Sequence, residues 1–183
     1  MRCVLSTFCV LVLAACNSGS TPRAFQRYSL EASREELLNV MSRALPMTAA
    51  QSIVYGFVTK DVDGPDISRW VDRAAVSSGD SVSVLLTFFR NRLARIDVFY
   101  PPATGRENCP ICAALRQQFG PPTAVDTTSL IRRFRWSKWT CCELQLIDAR
   151  LTLSVSYVSL AARKLREKEE NEALVRSGRM QLK

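Results

Sequence analysis

Histidine occurs nowhere in the 183 residues. Its absence removes the commonest general base near neutral pH, the commonest metal ligand, and every Ser-His or Cys-His nucleophile pairing. Glycine is sparse at seven residues, and no glycine-rich phosphate loop or nucleophile elbow is present. Spaced carboxylate pairs are missing too, so two-carboxylate hydrolysis has no foothold. The N-terminal apolar run from Val4 to Leu13 is well short of the ~20 residues that a membrane span needs. Acidic residues are outnumbered, with 17 Asp and Glu against 25 Lys and Arg, for a formal net charge of +8. That imbalance points to anionic partners: nucleic acid, phospholipid headgroups or acidic glycans.

Against these absences, 47% of the residues are hydrophobic, enough for a packed core and too many for wholesale disorder. The length suits one ordinary domain plus a tail. Arg2, the apolar run and the small residues Ala14 and Ala15 before Cys16 have the layout of a secretion signal. "LAAC" at Leu13 to Cys16 resembles the lipobox of bacterial lipoproteins. The resemblance implies cleavage before Cys16, acylation of that cysteine, and, since Asn17 is not aspartate, an outer-membrane anchor facing the periplasm. Acyl chains on one residue hold firmly, each buried CH₂ contributing about 0.8 kcal/mol. In that compartment lipid, glycan or an envelope protein is the expected partner of a basic chain, and nucleic acid is not.

"NSGSTPRAFQRY" follows as a polar tether. Ser33 and Glu36 form a capping box ahead of Leu37, Met41, Ala44 and Leu45, which predicts a helix ending at Pro46. Thr48 and Gln51 begin a second expected helix through Phe57, a stretch whose β-branched residues also suit a strand, and "DVDGPD" reads as a loop, with Asp61, Asp63 and Asp66 explained by a plain turn. "SVSVLLTFFRNRLARIDVFY" predicts two strands meeting at Asn91–Arg92, with a weaker strand in "ISRWVDRAAV" before them. Cys109 to Phe119 reads as a helix stopped by "GPP", and "LIRRFRW", "CCELQLID" and "LTLSVSY" as three strands. Beyond Tyr157 the alternating charges predict a solvated helix.

The expected organisation is a signal peptide (1–15), a lipidated tether (16–27), one α+β domain (28–160) and a charged helical tail (161–183). The domain is expected in two layers, with N-terminal helices and a C-terminal helix on antiparallel meanders, and with an α-βββ pseudo-repeat whose halves are 28–104 and 105–160. At "PMTAAQSIV" and "LRQQFGPPTAV" the chain resembles small outer-membrane lipoproteins of the SmpA/BamE type and β-lactamase-inhibitor-like repeats. There a T-x-x-Q-V motif opens a helix and G-x-P ends one. Ile53 stands near the place of that valine, and Gly120–Pro122 forms the stop. The resemblance implies a binding or scaffolding role.

Seven cysteines are present. Cys3 and Cys9 belong to the signal and Cys16 to lipid, which leaves Cys109, Cys112, Cys141 and Cys142 as disulfide candidates in an oxidising compartment. Connectivity is open. Cys112 with Cys142 is the preferred pair, closing a loop of about thirty residues and stabilising by roughly 3 kcal/mol in the chain-entropy model. "CPIC" at a helix start also looks like the thioredoxin and glutaredoxin site, which implies thiol–disulfide exchange as an alternative. The third feature is "RRFRWSKW", where Arg133 and Arg135 point away from Phe134 and Trp136. With Arg95 and Trp139 they are the expected partner-binding residues. The function expected is a non-catalytic binding or scaffolding lipoprotein, with an inhibitor or immunity lipoprotein as a second alternative. No cofactor and no metal is expected.

Overall fold

Alternation of apolar and polar residues builds most of this molecule. A computed structural model describes residues 21–37, 39–41, 44–46, 66–75, 81–100, 109–128, 130–149 and 152–177. Ten strands appear: β1 (Ala24–Phe25), β2 (Tyr28–Ser29), β3 (Leu45–Pro46), β4 (Ile67–Ala75), β5 (Ser81–Phe89), β6 (Arg92–Tyr100), β7 (Ala124–Thr127), β8 (Ile131–Trp136), β9 (Cys142–Ala149) and β10 (Thr152–Ser159). Among the described residues the helices are α1 (Arg34–Leu37), α2 (Pro110–Phe119) and α3 (Leu160–Arg176). The protein is thus α+β, dominated by an eight-stranded antiparallel sheet in the order β3-β4-β5-β6-β10-β9-β8-β7. β1 and β2 form a separate two-stranded ribbon.

The two halves of the sheet share an element order, a short edge strand followed by a three-stranded meander, and they join through their last strands, β6 and β10. Register aligns the apolar positions into rows. Val84, Val98, Val155, Leu146 and Phe134 lie side by side across five strands, with Asp72 at the β4 end of the row. Trp70, Leu86, Ile96, Tyr157, Leu144 and Trp136 form the next row. One face of the sheet is therefore the core face. Phe25, Tyr28, Leu30, Leu37 and Met41 of the N-terminal segment join that core, as do Cys112, Leu115 and Phe119 of α2. Phe25 lies 6.0 Å from the Tyr157 ring, and the Trp136 indole Nε1 donates to the Gly120 carbonyl at 2.8 Å, tying the end of α2 to β8.

Several expectations change here. The predicted N-terminal helix shrinks to the single turn of α1. Its capping box does form, with the Ser33 amide donating to Glu36 at 2.6 Å and the Glu36 amide to Ser33 Oγ at 3.1 Å. Leu45 and Pro46 instead pair with Val71 and Trp70 as an edge strand, and Leu45 is 66% exposed. A residue preceding proline is pushed to extended backbone, and an edge strand tolerates the missing N–H. Among the described residues, an extended segment and one helical turn cover the first half of the sheet. The second expected helix, Thr48 to Phe57, lies outside the described residues. The β5–β6 turn falls on Arg90 and Asn91, both at positive φ (48° and 65°), one residue earlier than predicted. β7 is an addition, since its four residues are all exposed and carry no burial signal. Ser154 and Ser156, which alternate with the core positions of β10, are also buried, since β10 is a central strand and Ser156 bonds Asp97 of the neighbouring β6.

Asp72 is a buried carboxylate on the core face. It accepts from the Tyr28 hydroxyl, from Arg27 at 2.6 Å and from the Arg73 amide at 2.8 Å. Burial alone would raise its carboxyl, but these donors more than offset that and hold it below its ordinary value. A carboxylate lowered on folding stabilises above its unfolded value, and that contribution disappears as pH falls through the lower folded value. Thermal unfolding midpoints measured from neutral to acidic pH should fall in that window. Asp72→Asn should start lower at neutral pH and flatten that part of the profile; an unchanged slope would remove Asp72 from the acid response.

Candidate functional site

The four cysteines separate into two pairs at opposite ends of β9. Cys109 is the N-cap of α2 with extended backbone, Pro110 occupies the first helical turn, and Cys112 follows one turn later. This places the two Cα atoms 5.2 Å apart, and Cys109 is bonded to Cys112. Cys109 Sγ also accepts from the Cys112 amide at 3.2 Å. Both residues are about nine-tenths buried.

The preferred Cys112–Cys142 pair does not form, and the path of α2 explains why. The helix begins beside Asp148, at one end of β9, and ends beside Trp136, Lys138 and Trp139 near the other. Cys142 starts β9, six residues before Asp148, which at about 3.3 Å per residue is roughly 20 Å along the strand from the carboxylate that Cys112 adjoins. Cys141 and Cys142 are free thiols. They belong to a different site.

Asp148 is the residue that the sequence reading missed at the α2 end. Its carboxylate oxygen and the Cys109 and Cys112 sulfurs lie within 4.8 Å of one another. In the disulfide those sulfurs have no thiolate to offer a metal, and Asp148 is engaged by Arg132. A carboxylate in register with Leu144 and Leu146 was visible in the alternation of β9, as an acidic residue placed on an apolar face.

The arginine face is built as predicted in direction and differently in charge. Arg133 and Arg135 project from β8 away from the core, each with 57% of its side chain exposed. Neither stands alone: Arg133 lies 3.5 Å from Asp126 on β7, and Arg135 lies 3.7 Å from Glu143 on β9. Arg95 is three strands away on β6, bonded to Asp97 at 2.7 Å and to Ser156 at 3.2 Å. Trp139 is half-buried, edge-on to Phe119 at 5.6 Å, with the Lys138 ammonium 5.1 Å over its ring. The four residues therefore do not form one cluster. Exposed pairs such as Arg133–Asp126 contribute little, about 0–1 kcal/mol. Their consequence is that the positive charge of β8 is partly neutralised by the sheet itself.

Helix α3 leaves the sheet beside Cys141, whose carbonyl accepts from the Leu160 amide at 3.0 Å. Ser159 caps it, its Oγ accepting from the Ala162 amide. Arg163 reaches Glu143 at 3.6 Å, and Glu169 meets Arg90 of the β5–β6 turn at 2.6 Å. None of its 17 residues is buried. Grooves flank it, one lined by Lys164, Lys168 and Val175, the other by Asp66, Arg90 and Leu165. No described helix is long and apolar enough to cross a membrane. Cys16 lies outside the described residues.

The Cys109–Cys112 loop is short, so the chain-entropy model allots it about 2 kcal/mol rather than the larger value of a thirty-residue loop. Replacing both residues by serine should leave the protein folded and lower its unfolding free energy by no more than that, as measured by urea titration. Loss of the fold would instead show that the disulfide, and not the sheet, positions α2.

No family model matches the chain, and no curated protein or solved structure matches it either.

Proposed function

We propose that the protein is a lipid-anchored, periplasm-facing lipoprotein of the bacterial envelope that works as a binding or scaffolding subunit through α3 and the adjoining face of β8. The observation that carries this reading is α3 itself: 17 residues, capped and ion-paired to the sheet, yet with none buried. In a globular domain most helical stability comes from packing an apolar face. A helix that contributes so little to its own core suits use as a surface for another molecule. Leu165, Lys168, Glu172 and Val175 follow the i, i+3, i+7, i+10 spacing of one helix face, and Leu165 is 40% exposed.

The lipobox reading supports the same orientation. Arg23 stands seven positions after Cys16, a reach of at most about 25 Å. Arg23 contacts Cys141, next to the first turn of α3. An acyl group on Cys16 would therefore hold this end of the sheet within that distance of the bilayer. The remaining positive charge of Arg133 and Arg135 suits an acidic protein face or anionic headgroups there.

Cells expressing the full chain should incorporate labelled palmitate, and Cys16→Ser should abolish the label; an unlabelled wild-type protein would end the lipoprotein reading. Cross-linking in whole cells followed by affinity capture tests the surface. Leu165→Asp with Val175→Asp should lose the captured partner while the folded domain keeps its circular dichroism. Arg133→Glu with Arg135→Glu should weaken capture at least several-fold. Partners retained by both variants would refute the proposed surface.

Thiol–disulfide exchange at Cys109 and Cys112 is a second reading, favoured by one observation: the bonded pair sits at the start of α2 beside the Asp148 carboxylate. It predicts an insulin-reduction rate that disappears in Cys109→Ser.

A further inference from the structure

The second thiol pair belongs to neither reading. Cys141 sits at the bend just before β9, and Cys142 is its first residue. Neighbouring residues inside a strand point to opposite faces. Because Cys141 stands outside the strand, its side chain turns towards that of Cys142, and the two Sγ atoms lie 3.4 Å apart. Cys142 is buried in the core face, while Cys141 is half-buried and reachable. Arg23, at the start of the described chain, donates its Nε to Cys141 Sγ at 3.3 Å. These two thiols are thus unequal in access and in charge environment.

We propose that Cys141 and Cys142, with Arg23, form a redox-active vicinal dithiol in which Cys141 is oxidised by a hydroperoxide and Cys142 then closes a disulfide. The chemistry follows from the asymmetry. Burial works to raise the Cys141 thiol, but the hydrogen bonds from Arg23 and Cys142 outweigh it and leave it below its ordinary value. The Cys142 thiol is pushed up to about 12, by burial first and by its neighbour second. Cys141 is the nucleophile and Cys142 the resolving thiol, the arrangement of an accessible thiolate beside a second cysteine.

In the first step the Cys141 sulfur attacks the hydroperoxide. An S–O bond forms, the O–O bond breaks, and the leaving alkoxide takes up the proton that the thiol released, departing as an alcohol (or as water from hydrogen peroxide). Cys141 is now a sulfenic acid. In the second step the Cys142 sulfur attacks Cys141 Sγ, the S–O bond breaks, and hydroxide leaves as water with the Cys142 proton. Two thiols lose two electrons and two protons, and the peroxide is reduced. Adjacent Cα atoms lie about 3.8 Å apart, below the usual span of about 4.4–6.8 Å for bridged cysteines, so this ring is strained and easily reduced again. Arg23 then faces a neutral disulfide instead of a thiolate, and the peptide whose carbonyl holds the first turn of α3 must adjust.

The test uses the full chain, treated with hydrogen peroxide, alkylated after denaturation and mapped by mass spectrometry. The wild type should lose two hydrogens from the peptide carrying Cys141 and Cys142 within one chain, and dithiothreitol should restore them. Cys142→Ala, which keeps the apolar site filled, should yield a dimedone adduct on Cys141. Cys141→Ser should give none on Cys142. Arg23→Ala, an exposed change that leaves both thiols in place, should slow oxidation several-fold at neutral pH. Oxidation at the wild-type rate in Arg23→Ala, adducts on Cys142 instead of Cys141, or two thiols surviving in the wild type would each overturn the proposal.

Discussion

The pairing of β6 with β10 carries the rest of the molecule. Tyr157 beside Ile96 and Val155 beside Val98 join two four-stranded halves into one sheet. Joined, they form continuous rows of Val, Leu, Ile and aromatic side chains on a single face. A slip of one residue at this seam would turn each row towards the opposite face, so burial of Ile96, Val98, Val155 and Tyr157 fixes the register strongly. The N-terminal segment and α2 then each cover part of one common core.

The same register places the charges. Residues that alternate with the core positions fall on the opposite face, where Arg95, Asp97 and Ser156 meet across β6 and β10, and Arg135 meets Glu143 across β8 and β9. Asp97 and Glu143 are buried despite their charge, and each has a cation within ion-pairing distance. A buried carboxylate without such a partner would be costly. Among the described strands the positive charge is thus paired with carboxylates of the same sheet instead of being concentrated into one patch.

Cysteine chemistry is likewise distributed by topology. One end of β9 receives the start of α2, with its Cys109–Cys112 disulfide beside Asp148. The other receives Arg23 and the start of α3, around two thiols in near contact. Roughly 20 Å of strand keeps the pairs apart, so they cannot exchange with one another in the folded protein. Each pair is local in sequence, yet its environment is assembled from distant segments.

The sequence by itself determined the strands, because period-two alternation in Val82–Phe88, Ile96–Tyr100 and Leu153–Tyr157 admits only a half-buried extended chain. It also determined α2, through Pro at its start and Gly120–Pro121 at its end, and the outward direction of Arg133 and Arg135. What it did not determine were contacts between elements far apart in the chain. Helical spacing at Leu37, Met41 and Ala44 was real, but Leu45–Pro46 was drawn onto the edge of β4. Strand order placed Arg95 three strands from Arg135, and the path of α2 set Cys112 far from Cys142. Arg23 came beside Cys141, 118 positions away in the chain, only once the sheet had closed. Local periodicity is read within a few residues, whereas partner identity depends on which rows of side chains register, and only the folded sheet supplies that register.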